Sequence, residues 1–519
     1  MTSPAIYPAN EWAADESRFS GLTFAFKGGV APRSDHLGFD RVGGGTLSLA
    51  DNAIRFIERT DYGVVTASSG TWFSVDKIPM ARVVTAGGVI FDVKDFRVPL
   101  YLDVTPTPST RGEPITRHGG VSGAADASTA LRAACAAAMV AGVMAVHLPA
   151  GQWNFPAATG TADIIPSNFT IDGAGIGVTT VRATGLTSGN ALFSLSRRKN
   201  VRIRHMTLSA PTLTAGTFGW QPVAGEDCTL EHCRILAEFG WGVIFSQQSE
   251  RCGVVGCLVL GTTSGNAIEV NGGLRNFVRK TYARDSVVNL IESYHMSGLP
   301  HEENEFSDLL LRDSGNHGVD CLGAVGDVYR RITTIGSFGS GMRISPSETE
   351  PTHDTENGTV EDFLAIGAGS GSTGPSIACN GLGWTFRRVR SHKQVTGTAI
   401  AVGKGAHTFE DTEIYECQIM AILVDVAAQD GTTFTRGRIH NPSASGAGQD
   451  AISSARQIVV EDFVFTDDRE PRLMSRWVNL TGGTGSRLEG LSGVPGTAGR
   501  VTGGTATIYR NIDGVADQN

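Results

Sequence analysis

Three acidic residues and one arginine lie at matching places in four successive segments of the sequence. Glu269, Asp320 and Arg343 alternate with apolar residues in NAIEVN, HGVDCL and SGMRIS, and Glu292 lies at or just past the end of VVNLIE. If these segments are strands, the charged side chains face outward while their apolar neighbours face a core. Carboxyl groups on adjacent strands would then be ~5 Å apart, and those on alternate strands ~9–10 Å apart.

Such a set of acids is suited to glycosidic-bond hydrolysis, in which one carboxylic acid protonates the leaving oxygen and a second carboxylate acts as base or nucleophile. Glu269 with Asp320 fits the wider separation of inverting enzymes, and Glu292 with either neighbour fits the shorter one of retaining enzymes. Crowded carboxylates also raise one another's pKa, which keeps one of them protonated near neutral pH. The alternative is a solvated acidic face without catalytic function.

Elimination at a uronate is the second chemistry that these segments allow. It needs a base near the sugar, and Arg343, Tyr294 and His295 are the candidates. The residue types alone do not separate hydrolysis from elimination. We expect neither a cofactor nor a metal at the site, although the acidic insertions SGLPHEENE and SPSETEPTHDTEN leave calcium binding as an alternative.

Five further residues near the acids are candidates for substrate binding. Exposed aromatic rings are platforms for the C–H faces of sugars, and core packing is their alternative role. The set comprises Trp241, Phe245, Asn271, Tyr294 and His295.

The acids belong to a repeating sequence. From about residue 198, segments such as VRIRHMTL, CTLEHCRI and WTFRRVRS recur every ~26 residues, each followed by a glycine turn and a second apolar segment. A period of this size without intervening helices predicts an all-β fold, a right-handed parallel β-helix with about eleven or more coils. A helix near residues 126–140 is expected to cap its open end.

Composition agrees with this fold. The 519 residues include 66 glycines and carry a net charge of −9, and 18% are charged. The low charge excludes a disordered chain, and the absence of basic runs argues against nucleic-acid binding. Four of the eight cysteines form two C-x4-C pairs, at 228/233 and 252/257, which we interpret as core residues, with a metal site as the alternative.

Two further regions flank the repeats. Residues 1–104 read as a small β domain with tight turns, followed by a Pro/Thr/Ser linker at 105–114. The β-helix is assigned to 115–475, and the glycine-rich segment 476–519 is expected to close the helix or join subunits.

A family resemblance becomes visible at the entry to the repeats. The order of a helix, then Val146-His147-Leu148-Pro149-Ala150-Gly151-Gln152-Trp153, then Ile171-Asp172-Gly173-Ala174-Gly175 resembles the pectate-lyase-like β-helix domain of phage tailspikes. The resemblance covers about residues 113–475. The aspartate-rich motif usual before that helix is replaced here by Gly123-Ala124-Ala125-Asp126, so no role of those acids is transferred.

The resemblance implies a homotrimeric tailspike or tail fibre of a phage virion that binds and depolymerises bacterial surface polysaccharide. Residues 1–104 are similar to the small β domains that anchor tail fibres, which implies a phage tail or baseplate protein as partner. A non-enzymatic receptor-binding fibre is the alternative, and a cellular polysaccharide lyase or epimerase is a third.

The expected location follows from the same interpretation. The first residues show neither a basic nor an apolar signal region, and the apolar stretch 130–148 contains Arg132 and is mostly alanine and glycine. We therefore expect synthesis in a host cytoplasm, release by lysis and no membrane insertion.

Overall fold

The computed structural model describes residues 12–32, 39–60, 63–69, 77–95, 97, 112–211, 215–296, 298–348, 353–371, 374–442, 449–469, 472–503 and 508–513. Parallel strands stack in register from Glu113 to Arg510 and form three sheets along a single coiled path. The predicted all-β parallel β-helix is therefore confirmed, with about thirteen coils.

Sheet 1 and sheet 2 are adjacent. The strands found in sheet 1 alone are Glu113–Pro114, Ala145–Leu148, Phe169–Gly173, Val201–Arg204, Thr229–Glu231, Gly253–Val255, Phe277–Arg279, Thr385–Arg387, Thr408–Glu410, Arg487–Glu489 and Ile508–Arg510. Those found in sheet 2 alone are Gly151–Phe155, Thr179–Ala183, Thr207–Ser209, Arg234–Ile235, Leu258–Leu260, Tyr282–Arg284, Arg390–Gln394, Glu413–Cys417 and Ser492–Gly493. The strands that run through both are Glu305–Arg312, Val328–Ile335, Thr359–Ile366, Thr432–His440 and Ile458–Thr466.

Sheet 3 carries the acidic segments. Its strands are Ala191–Ser194, Phe218–Gln221, Trp241–Glu250, Ile268–Leu274, Ile291–Tyr294, Val319–Leu322, Met342–Ser345, Ile377–Cys379, Ile400–Val402, Ile422–Val424, Ile452–Ser454, Val478–Leu480 and Val501–Gly503. The short strand His301–Glu302 pairs with the end of Ile268–Leu274.

Stacked aromatic rings fill part of the interior. The Phe409 ring lies parallel to Phe386 at 4.4 Å and to Phe434 at 4.9 Å between centroids, and all three are fully buried. The eight cysteines are likewise buried and free, as expected of small core residues. Each coil therefore completes the apolar core of the next.

Charged residues turn the corner between sheets 1 and 2 in several coils. Asp308 and Arg331 adopt φ of 57° and 51°, in the left-handed region that costs a residue with a Cβ about 1 kcal/mol. Arg331 Nε donates to Asp308 Oδ1 at 2.5 Å, and the pairs Arg388–Asp362 and Arg436–Asp411 repeat the contact two and four coils on. Ion pairing between coils accompanies the strained turn.

The two ends of the described β-helix differ from each other in structure. The helix Ser128–Val140 buries Leu131, Ala134 and Cys135 against the first coils, next to the 3-10 turn Ile115–His118. At the other end the strands Val478–Leu480, Arg487–Glu489, Val501–Gly503 and Ile508–Arg510 continue the stack. The predicted boundary at residue 475 is therefore wrong, because the coil pattern runs on through the described part of 476–519.

The N-terminal region forms antiparallel sheets. Its elements are the 3-10 turn Glu16–Arg18 and the strands Thr23–Phe26, Gly29–Pro32, Phe39–Val42, Gly45–Ser48, Ala53–Arg59, Val65–Ser68, Ile78–Ala86 and Val89–Asp95. Phe56 and Ile78 pack on outward-facing apolar residues of sheet 2, among them Tyr282 and Leu310. Lys94 Nζ also pairs with Glu413 at 2.9 Å. The region thus lies against the side of the β-helix. Most of the predicted linker lies outside the described residues, and the other predicted domain boundaries stay predictions.

Truncating the stacked rings tests the interior. We expect Phe409→Ala to lower the free energy of unfolding by about 3–5 kcal/mol, because it removes a fully buried ring and leaves a cavity. Phe91→Ala, at a ring that is 76% exposed, is the matched control and should change it by less than about 0.5 kcal/mol. Urea unfolding followed by circular dichroism measures both, and equal effects would contradict the stacked core.

Candidate functional site

The acidic residues form one column on the outer face of sheet 3. Glu269 pairs in register with Glu292, Glu292 with Asp320, and Asp320 with Arg343. Their strand neighbours point into the core, as Ile268 at 0% exposure illustrates. The structure therefore brings all four predicted catalytic residues together, one from each of four successive coils.

A row of amides beside the column holds the carboxyl groups. Asn266 Nδ2 donates to Glu269 Oε2 at 2.9 Å and to Glu292 Oε2 at 2.5 Å. Asn289 Nδ2 donates to Glu292 Oε1 and to Asp320 Oδ2, both at 3.2 Å. Each amide thus bridges two carboxyl groups of adjacent coils.

The orientation of these amides is set by the backbone of the next coil. Asn266 Oδ1 accepts the backbone N–H of Asn289 at 2.9 Å, and Asn289 Oδ1 accepts that of His317 at 3.0 Å. His317 Nδ1 in turn accepts the backbone N–H of Ser340 at 2.9 Å. Because each Oδ1 faces a donor, each Nδ2 must face the carboxyl groups.

The acids are more buried than a solvated face would allow. Glu269 is 7% exposed and Asp320 1%, while Glu292 is half-buried. Burial and, after it, the charges of Glu269 and Asp320 raise the pKa of Glu292 to about 8, against the opposing effect of the asparagine donors. Burial also raises the pKa of Glu269, against the donors Asn266 and Asn271. The pair therefore retains a proton near neutral pH.

Asp320 has a different environment. Arg343 donates to it through Nε at 2.6 Å and through Nη2 at 2.7 Å, a bidentate pair. Arg343 Nη2 also donates to Glu348 Oε1 at 3.1 Å. Arg343 therefore joins Asp320 to Glu348, and its guanidinium is committed to these two carboxylates.

Aromatic residues lie on the coils below Glu269. Trp241 is half-buried on the outer face and packs with Phe218, at 5.6 Å between ring centroids, and with Ile244. Ile244 pairs in register with Glu269, and Phe245 pairs with Val270. Phe245 therefore points into the core, where it contacts Trp220 edge-on, and its predicted role in substrate binding is wrong.

The remaining predicted binding residues take different places. Asn271 Nδ2 donates to Glu269 Oε1 at 3.1 Å, so it positions a carboxyl group. Tyr294 is half-buried and pairs in register with Asn271 of the adjacent strand. His295 is only 4% exposed and stacks on His353 at 3.8 Å, so its predicted place on an open binding face is wrong.

Asn266, Asn289 and His317 are the residues that the sequence interpretation missed. Each lies three positions before its acid, in N-A-I-E, N-L-I-E and H-G-V-D. This repeated spacing of a polar residue and an acid, at matched places in successive coils, is the signal that could have identified them.

A second polar cluster lies inside the coil, behind Glu292. Ser293 Oγ donates to Asp327 Oδ2 at 2.6 Å and contacts His301 Nε2 at 2.7 Å. Asn304 donates its backbone N–H and Nδ2 to Asp327 Oδ1 at 2.9 and 3.1 Å. Burial raises the pKa of Asp327 to about 7 and lowers that of His301 to about 3. These groups are fully buried, so the cluster serves the core.

Two other features bear on ligands and membranes. No group of three or more metal-ligating side chains occurs among the residues that the structure describes. Within the same ranges, none of the helices has the length and apolarity to cross a lipid bilayer.

Comparison with solved structures places the fold among known β-helices. The Agl-KA catalytic domain matches with a TM-score of 0.51 at 13% identity, over 93% of this chain and 85% of that chain. Bacteriophage CBA120 tailspike protein 3 matches at 0.49 and 12%, over 96% and 84%. The catalytic unit of a GH87 alpha-1,3-glucanase from Streptomyces thermodiastaticus strain HF3-3 matches at 0.47 and 15%, over 98% and 92%. No family model and no curated protein matches the chain. At these identities the similarity shows the fold alone.

The raised pKa of Glu292 predicts a pH-dependent stability. Below the unfolded value of 4.5 the carboxyl is protonated in both states, and between 4.5 and about 8 the folded state holds more protons. Stability should therefore fall as pH rises from 5 to 8, and Glu292→Gln should reduce that slope. Urea unfolding at several pH values measures it, with Glu302→Gln, at an exposed side chain, as the control. An unchanged slope in Glu292→Gln would contradict the buried pair.

Proposed function

We propose that the protein binds and depolymerises a bacterial surface polysaccharide as a carboxylate-dependent glycoside hydrolase. The observation that carries this proposal is the pair Glu269–Glu292, bridged by the single nitrogen of Asn266. A shared donor keeps the two bonded oxygens within roughly 5.5 Å, the carboxyl separation of retaining glycosidases. The raised pKa of both groups keeps one proton on the pair.

Their environments assign the two roles. Glu292 lies between two other carboxyl groups and is the more exposed, so it holds the proton and acts as the general acid toward the glycosidic oxygen. Glu269 receives amide donors from Asn266 and Asn271, which stabilise its carboxylate, so it acts as nucleophile. After the leaving group departs, Glu292 serves as the base for water. Trp241, packed on the coil below, is the platform for a sugar ring.

The same contacts favour hydrolysis over elimination. Elimination often uses a cation to hold the uronate carboxylate, and the arginine of this site is already bound by Asp320 and Glu348. Asp320 acts through its charge, which raises the pKa of Glu292.

The site variants test this mechanism. We expect Glu292→Gln and Glu269→Gln each to lower kcat by about 10³-fold or more with binding retained, since each removes one partner of a two-carboxyl reaction. New reducing ends released from purified capsule, exopolysaccharide or O-antigen measure cleavage, and unsaturated-uronate absorbance would indicate elimination instead.

The pH profile of the wild type is a second test. Its activity should fall above about pH 8, because Glu292 loses the proton that it must donate.

A non-enzymatic receptor-binding fibre is the second candidate, favoured by the near-complete burial of Glu269 and Asp320. Glu302→Gln is the control for the site variants and should keep full activity. Polysaccharide binding by the wild type without any product would support the fibre and overturn the hydrolase.

The sequence resemblance supports the wider part of the proposal, a phage tailspike in the virion, attached to a tail or baseplate protein through residues 1–104 and released by lysis. In solution we expect a trimer of the 54.6-kDa chain, because the long side faces of a single β-helix would otherwise be exposed to solvent. Light scattering coupled to gel filtration measures the mass, and a monomer at micromolar concentration would contradict the trimer.

A further inference from the structure

A cleft separates the N-terminal sheet from the outer side of sheet 2, away from the acidic column. Its volume is about 1000 Å³, the upper end of the range for small-ligand sites. Strand Ala53–Arg59 forms one wall, and strands Thr432–His440 and Ile458–Thr466 form the other. The cleft is concave and takes side chains from two separately folded parts of the chain.

Positive charge dominates its lining. Five arginines line it, against two acidic residues; the arginines are Arg55, Arg82, Arg438, Arg469 and Arg472.

The acids neutralise only part of that charge. Asp467 is 2% exposed and is held by Arg469 at 2.7 Å and by two backbone N–H groups. Arg82 pairs with Asp92 at 3.7 Å. Within the described ranges no carboxylate lies at ion-pair distance from Arg55, Arg438 or Arg472. Arg438 hydrogen-bonds the Tyr415 side chain, which leaves further guanidinium N–H groups for a ligand.

His440 adds no charge near neutral pH. Its Nε2 accepts from Asn441 Nδ2 at 3.0 Å, so the ring proton lies on Nδ1, 2.8 Å from Thr466 Oγ1. Burial also lowers the pKa of His440, against Asp468 nearby. Both ring nitrogens are engaged within the protein, so His440 is a neutral part of the cleft wall and leaves the charge of the cleft to the arginines and aspartates.

We propose that this cleft binds a short anionic saccharide, a segment of two or three sugars bearing carboxylate or phosphate groups. Guanidinium groups lie on both walls and can bind carboxylates and phosphates in bidentate fashion, and their distribution over the two walls suits charges repeated along a chain. Tyr415, on the strand Glu413–Cys417 of sheet 2, also lines the cleft and supplies an aromatic face for a sugar ring. A concave cleft of this volume suits a short chain better than a folded protein partner, which would need a broad surface.

The proposal does not depend on the catalytic assignment. The acidic column concentrates negative charge and disfavours an anionic sugar at the cleavage point, whereas the cleft favours one. A heteropolymer of neutral and acidic sugars could place a neutral sugar at the acidic column and an acidic segment in the cleft. Ligand held between the two walls also joins the N-terminal sheet to the β-helix, so binding should raise the melting temperature of the protein.

The test uses the full chain with Glu292→Gln, which removes the proposed turnover and leaves the cleft intact. Calorimetry with trigalacturonate should show binding that weakens with added salt, and maltotriose, its neutral counterpart, should not bind. Arg438→Gln combined with Arg472→Gln should weaken trigalacturonate binding about tenfold or more, since two charge-assisted contacts are lost. Both arginines are exposed, so the variant should fold.

Arg436→Gln is the matched control, because Arg436 lies on the same strand but pairs with Asp411 at 2.9 Å outside the cleft. Unchanged trigalacturonate affinity in the double variant, or no binding at all, would overturn the proposal. If inorganic phosphate binds as tightly as trigalacturonate, the cleft is a general anion site, and the proposal of a saccharide ligand is wrong. Tighter binding of pentaglutamate would assign it to an acidic protein segment instead.

Discussion

In-register parallel pairing is the constraint on which the structure depends. Because each strand of sheet 3 pairs with its equivalent one coil away, a side chain at a given place has neighbours of the same parity about 4.8 Å above and below. Glu269, Glu292, Asp320 and Arg343 become a column for this reason alone. The same pairing aligns Asn266 and Asn289 beside them, so each amide meets two carboxyl groups.

Within that column, three chemically similar groups acquire different properties from their neighbours. Asp320 is buried and forms a bidentate pair with an arginine. Glu292 has only amide donors and two carboxyl neighbours, so burial and repulsion raise its pKa together. Glu269 has two amide donors, Asn266 and Asn271, and burial raises its pKa as well. A difference in protonation between adjacent groups is what acid–base chemistry requires, and the roles proposed for Glu292 and Glu269 rest on these different neighbours.

The repeat period and strand parity were enough to predict the fold and the acidic column, since both depend on local alternation. Phe245 was misplaced because the strand Trp241–Glu250 was aligned one residue out of step, which reverses every side chain. The burial of His295 depends on stacking against His353, which is 58 residues away in the sequence and belongs to an insertion rather than to the repeat. The arginine cleft depends on where the N-terminal sheet packs, which no repeat pattern encodes.

The polar cluster inside the coil has a consequence for how the chain folds. In an interior of stacked aliphatic and aromatic residues, coils displaced by one step would still bury apolar surface at little cost. Asp327 has no such freedom, because Ser293 and Asn304 supply its hydrogen bonds from particular places in the coil below. A displaced stack would leave this buried carboxyl group with only the Tyr329 hydroxyl of its own coil, at 3.4 Å, as donor, and the lost hydrogen bonds would cost several kcal/mol. Misaligned assemblies of coils are thereby selected against during folding.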